Sequence, residues 1–128
     1  VASINIFEDE DILNRARRMG SDVLAPGLED LKSRHPSVGE VRGLGCFWAI
    51  ELVRNRDTRE MFVPFNASGA DAAPMAEVLS ACKEAGLSPF AHFNRIHIAP
   101  PLNISDEDAR LGLSILDEVL DIADRHTV

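Results

Sequence analysis

Apolar residues recur with a helical period over the first part of the chain. From Glu8 to about Arg34, Ile12, Ala16, Met19 and Val23, then Leu24, Leu28 and Leu31, fall on one side, which predicts a long amphipathic helix. Pro26-Gly27 interrupts it. Proline lacks a backbone donor and crowds the preceding turn, so a kink or break is expected near Ala25. His35-Pro36 then ends the element. The stretch before it, Val1 to Phe7, opens as though inside an element, and residues 1–35 are read as a linking segment and first helix.

Residues 38–53 carry a different pattern. Val38-Gly39-Glu40-Val41-Arg42 is a short strand, Gly43-Leu44-Gly45 a turn with freedom for positive φ, and Cys46 to Val53 a nearly continuous apolar strand. Cys46, Trp48, Ile50 and Leu52 point one way and Phe47, Ala49, Glu51 and Val53 the other. With Glu51 its only charge, this strand is expected to be covered on both faces. Residues 54–73, with several charges, Pro64 and Ser68-Gly69-Ala70, read as a long surface loop, a type that is often functional or ordered by a partner.

Pro74 suits a first helical position. Met75, Val78, Leu79 and Cys82 then make a stripe that closes at Gly86, which predicts a helix over 74–86. Residues 87–99 read as a hairpin whose strands, Leu87 to Phe90 and Arg95 to Ala99, are joined at Ala91-His92-Phe93-Asn94. Ile96 and Ile98 face one side, Arg95 and His97 the other. The final helix, 105–125, starts at a Ser105 cap with acids in its first turn and Asp108 where a capping-box acid belongs. Leu111, Ile115, Leu116, Val119, Leu120 and Ile122 form its apolar face. The order of elements predicts an α/β (α+β) two-layer sandwich, with helices on one face of a small, mostly antiparallel sheet.

Composition narrows the function classes. At 128 residues, 45% of them hydrophobic and 27% charged, the chain matches one globular domain with an ordinary core. No apolar run approaches the ~20 residues of a membrane span. The net charge of −8 disfavours a nucleic-acid partner, because a phosphate backbone would be repelled. Arg15/Arg17/Arg18 and Arg54/Arg56/Arg59 lie among acids and read as solvated faces. Cys46 and Cys82 show no CxxC spacing and have apolar neighbours, so buried, reduced thiols and a cytoplasmic location are expected.

The chain has no phosphate-binding glycine loop, nucleophile elbow or metal-spaced Cys/His cluster, so no catalytic site and no metal site is expected within it. His92 and His97 stand on different parts of the hairpin without further ligands nearby. His97 reads as a strand residue partnered by a polar group or solvent, and His92 as a turn residue. Lys32 and Lys83, the only lysines, fall on the polar sides of helices, unlike a desolvated Schiff-base lysine.

Two motifs are more specific together than either alone. Val41-Arg42-Gly43-Leu44-Gly45 through Ile50-Glu51-Leu52 resembles the R-G-x-G-x-x-x-x-[IV]-E-[LF] stretch of the class III aminotransferases, and Ala99-Pro100-Pro101-Leu102-Asn103-Ile104-Ser105 resembles that family's A-P-P-L-x-[IV]-[ST] approach to the final helix. The resemblance runs over essentially the whole chain. It implies the C-terminal small domain of a fold-type I transferase dependent on pyridoxal phosphate (PLP). The complete enzyme, a homodimer, would move an amino group from an amine or ω-amino acid to a 2-oxo acid. The catalytic lysine and the cofactor ligands would belong to a large domain outside this sequence. The chain would form one wall of the substrate cleft and be inactive alone. The rival reading is a free-standing α/β module that binds a ligand or partner without catalysis.

The same resemblance places a carboxylate-binding arginine on the first strand of the hairpin, and here that position is Phe90. A phenyl ring cannot hold a carboxylate. Either the donor lacks an α-carboxylate, or a displaced base, His92 or Arg95, takes the role, or Phe90 packs in the core and the missing domain binds the acid.

Overall fold

A computed structural model describes residues 1–128. The helical run at the start is divided differently from the expectation. Helix α1, Ala2–Asp9, occupies the presumed linking segment, and none of its residues is buried. It stops where Asp11 takes a left-handed conformation, φ 50°, which aspartate tolerates better than most residues. The Asp11 carboxylate accepts from Asn14 Nδ2 at 2.8 Å. Helix α2, Ile12–Arg18, passes through a π-helical turn, Met19–Leu24, into α3, Ala25–Arg34. Pro26 therefore does not break the helix at Ala25. It sits in the first turn of α3, where its missing donor is not needed, and the irregularity is absorbed upstream as a wider turn.

Three helices seal one side of the sheet. Strands β1, Val38–Leu44, and β2, Phe47–Asn55, pair antiparallel, and β2 also pairs with β5, Arg95–Ile98, which pairs with β4, Phe90–His92, at the edge. Val41, Ile50 and Ile96 are register partners and lie on the buried face. They pack with Leu28 and Leu31 of α3, Val78 and Cys82 of α4, Ala73–Glu84, and Leu116 and Leu120 of α5, Asp106–Asp124. The turn between β1 and β2 is Gly45-Cys46, so Cys46 is a turn residue rather than the first residue of the strand. Gly45 has φ +57°, and a Cβ on Gly20 would meet its carbonyl oxygen at 2.6 Å, so two glycines are needed where the π-turn touches this reversal. Both cysteines are buried and free.

The other side of the sheet is bare. Phe47 is 63% exposed and Phe90 66%, whereas Ile50 and Leu52 are fully buried. The expectation that β2 is covered on both faces does not hold within this chain. Residues 54–73 are also more ordered than a surface loop. The Asn55 side chain accepts from the amides of Asp57 and Thr58 at 2.9 Å, turning the chain so that β3, Glu60–Met61, pairs back onto β2. Phe62 and Val63 then enter the core. The β4–β5 reversal is confined to Phe93-Asn94, which places His92 in the strand. No helix is long and apolar enough to cross a membrane.

Two polar devices lock the helices. Arg56 points its guanidinium at the carbonyls of Lys32, His35 and Val38, at 2.6 to 2.8 Å, closing the C-terminus of α3. Read from sequence as part of a solvated face, it is a cap. His35, 4% exposed, presents Nδ1 to Asp124 at 2.7 Å and Nε2 to Asp117 at 2.8 Å. A carboxylate only accepts, so both ring nitrogens carry protons and the pair reads as an imidazolium between two acids. Burial pulls the His35 pKa down, but the hydrogen bonds and charges of Asp117 and Asp124 outweigh it and hold it above 6.5. Asp117 is lowered, chiefly by Arg34 and then by His35. Asp124 also accepts from the Ser37 amide and hydroxyl.

The two shifts act in opposite directions. The His35 contribution is complete below 6.5, its unfolded value, and is lost as pH rises through the raised folded value; that of Asp117 is lost as pH falls through its lowered one. Urea melts should therefore show stability falling on both sides of a maximum. His35→Gln should abolish the alkaline fall and cost about 3 kcal/mol near neutrality, the scale of a broken buried pair. An unchanged alkaline limb in that variant would assign the loss to another group.

Ser105 caps α5 as expected: its Oγ accepts from the Asp108 amide at 3.0 Å and donates to the Asp108 carboxylate at 2.9 Å. Ser105→Ala should cost about 1 kcal/mol, and Ser105→Asp should recover most of it, in the same melts.

Candidate functional site

Strand alternation builds the bare face from a few rows. Leu44 stands opposite Phe47; next come Arg42, Ala49, His97 and Phe90, one from each of β1, β2, β5 and β4; next come Glu40, Glu51, Arg95 and His92. Three aromatic rings lie side by side. The His97 ring stacks on Phe47 at 6.2 Å between centroids and 27° between planes, and leans on Phe90 at 5.3 Å and 40°. Two contacts join polar residues of this face: Arg42 forms an ion pair with Glu51 at 2.7 Å, and Arg95 donates to His92 Nδ1 at 3.1 Å.

The aromatic row borders an open cleft of about 610 Å³ that continues past Pro100 and Pro101 to Ile104 and Leu113. Its lining is chiefly apolar and holds two titratable side chains, His97 and Asp108. Asp108 is engaged by the Ser105 cap. Of the three residues singled out from sequence, Phe90 lines the cleft, while His92 and Arg95 pair with each other one step nearer the turn and do not line it. Phe47 and His97, which sequence reasoning did not select, do line it. The signal was present in the alternation, since Phe47 shares a strand face with Ala49 and His97 shares one with Arg95, but it needed the register between the strands.

Neither lysine is suited to bind a cofactor covalently. Lys32 is paired with Glu40 at 2.8 Å, and Lys83 is exposed on α4. His35, Asp121 and Asp124 bring three potential metal-ligating atoms within 4.8 Å of one another. Both His35 nitrogens, however, already donate to carboxylates, so the cluster is accounted for as an ion pair.

Residues 1–120 match the family model described as aminotransferase class-III. The chain is 30% identical over 98% of its length to ethanolamine-phosphate phospho-lyase homolog 1 of Caenorhabditis elegans, and 33% identical over 94% of its length to the 4-aminobutyrate aminotransferase GabT of Escherichia coli. It superposes with a TM-score of 0.90, 32% identity and 98% coverage on the taurine:2-oxoglutarate aminotransferase of Bifidobacterium kashiwanohense, a structure in complex with PLP and glutamate. It spans about a quarter of those relatives: 26% of each of the first two and 27% of the third. The family motifs fall on the β1–β2 hairpin, whose Phe47 lines the cleft, and on the path from β5 into α5, where Ala99, Pro100, Pro101 and Ile104 line it, and with them the chain belongs to the class-III aminotransferase family.

Proposed function

We propose that this chain is the small-domain part of a PLP-dependent transaminase that moves an amino group from an amine or ω-amino acid to a 2-oxo acid, and that it contributes one wall of the substrate cleft. The observation that carries the reading is the open, apolar cleft with Phe90 on its border, at the position where the family resemblance calls for a carboxylate-binding arginine. When bound, PLP supplies the electron sink for amino-group transfer. The residues of this chain do not fit it, because Lys32 is ion-paired and Lys83 is solvated. They act on the substrate: the apolar wall excludes water and favours a donor without an α-carboxylate. The bare sheet face and the exposed Ile4, Ile6 and Phe7 of α1 supply surface for the rest of the protein and for a second copy in a homodimer. The free, buried thiols suit the cytoplasm. A lone ligand-binding module explains the cleft but not the family match.

The isolated chain is expected to form no covalent adduct with PLP. Titration with the cofactor should give no visible absorbance band that disappears in Lys32→Ala or Lys83→Ala. A band lost in either variant would place a reactive lysine in this chain.

In the full-length protein, Phe90→Arg should raise kcat/KM for an α-amino acid relative to a simple amine by about tenfold, the scale of one charge-assisted contact in a water-poor site. An unchanged ratio would make the hairpin scaffold alone. Arg95→Ala, measured alongside, should leave kcat/KM for the 2-oxo acid unchanged, because Arg95 does not line the cleft; a fall would bring the His92–Arg95 pair to the substrate. Because one relative is named as a phospho-lyase homologue, the assay should follow both amino transfer and phosphate release from a phosphorylated amine; release without transfer would overturn the transaminase reading.

A further inference from the structure

Seven of the eight glycines are explained by the chain itself. Gly20, Gly27, Gly39 and Gly43 would each place a Cβ 2.4 to 2.6 Å from a neighbouring atom, and Gly45, Gly69 and Gly86 have φ between +57° and +91°. Gly112 has neither reason. It lies inside α5, where glycine weakens a helix relative to alanine. Beyond the helix's own backbone, the only atom within 4 Å of an added Cβ would be Leu87 Cδ1 at 3.8 Å, an ordinary contact. What sets Gly112 apart is its place: it lines the cleft, on the side of α5 that also presents Ala109 and Leu116 there. The missing side chain deepens the cleft and does nothing for the fold.

We propose that Gly112 sets the depth of the cleft and so selects an amine donor with a long hydrocarbon group, whose end packs against the uncovered backbone of α5. This rests on the transaminase reading above and names the donor class that the reading leaves open. The cleft, about 610 Å³ in volume, falls among sites of roughly 300–1,000 Å³ that enclose drug-sized ligands, so a short amine leaves most of it to water. Its far end, at Leu24, Ala109, Gly112 and Leu116, is apolar, and each methylene moved there from water favours binding. Of the two titratable side chains on the lining, His97 belongs to the aromatic row, and the α5 wall carries only Asp108. A carboxylate beside this end disfavours the distal carboxylate of an ω-amino acid. The plain alkyl amine is the donor that suits both the depth and the charge of the wall.

The test uses the full-length protein loaded with PLP and compares Gly112→Ala and Gly112→Leu with the parent, on heptan-1-amine and propan-1-amine. Alanine and leucine are better helix formers than glycine, so both variants should melt at or above the parent's temperature. In Gly112→Leu, kcat/KM for heptan-1-amine should fall about tenfold, the scale of two methylene groups kept in water, while that for propan-1-amine changes less than about twofold. Gly112→Ala should fall between parent and Gly112→Leu. An equal loss for both amines, or no loss for the longer one, would overturn the assignment. So would a lowered melting temperature in Gly112→Ala, which would mean that another part of the protein packs against the glycine. Calorimetric titration with heptan-1-ol, a non-reacting ligand of the same length, separates this from the underlying reading. If the parent transfers no amino group, the transaminase reading fails, and the alcohol decides the cleft: binding about tenfold tighter in the parent than in Gly112→Leu keeps the depth assignment, and equal binding or none removes it.

Discussion

The two-residue period of β2 is the constraint from which the rest follows. Ile50 and Leu52 are wholly buried because the strand lies between β1 and β5 with three helices over that face. The same period then turns Phe47, Ala49 and Glu51 outward. Slipping the pairing by one residue would drive Glu51 into the core and expose Ile50, so the register is strongly enforced. Once it is set, His97 must stand opposite Ala49 and Phe90 opposite His97, which creates the aromatic row. The aromatic row is thus separated from the core by the sheet, whereas the far part of the cleft is lined by the core residues Leu24, Ala109 and Leu116.

How much of this was legible in the sequence depends on whether a residue's role is local. The Ser105 cap, the Gly86 helix end and the inward Ile96 are set by neighbours within a few positions, and periodicity and capping rules find them. Roles made across the chain were hidden. Arg56 looks like one of several solvated arginines until the three carbonyls around the end of α3 are brought to it. His35 looks like a helix terminator until α5 supplies Asp117 and Asp124. The π-turn lies where Gly20 closely approaches Gly45, a contact across the chain that no local pattern encodes. The short run Met61-Phe62-Val63 was lost among charged and small residues, although Phe62 is among the largest fully buried side chains.

The reading of β2 as covered on both faces failed for a different reason. Apolar residues report that a face is kept from water in the working molecule, not which chain covers it. Phe47, Leu44 and Phe90 are exposed here, and the chain spans about a quarter of its relatives. For the candidate site, Phe90 was selected because it lies at a fixed distance from two flanking motifs. His97 lies in the same stretch but resembles any strand histidine until the register sets it beside Phe90 and inside the cleft lining. His92 and Arg95 were attractive by charge alone, and the structure shows them hydrogen-bonded to each other outside the cleft lining.

The separation of the aromatic row from the core also accounts for the balance between a preserved fold and a changed surface. A relative sharing 32% of residues superposes with a TM-score of 0.90, so most positions are replaceable while the arrangement of elements is not. The hydrophobic contribution to stability scales with apolar area removed from water, and it comes here from residues such as Leu28, Ile50, Ile96 and Leu120 on the helix side. Phe90 at 66% exposure and Phe47 at 63% contribute far less. The row beside the cleft can therefore exchange a guanidinium for a phenyl ring at little cost to folding, because the pairing that holds Phe90 is made by its backbone and not by its side chain. The outward half of the strand pattern is thus free to vary, and the inward half keeps the framework that positions it.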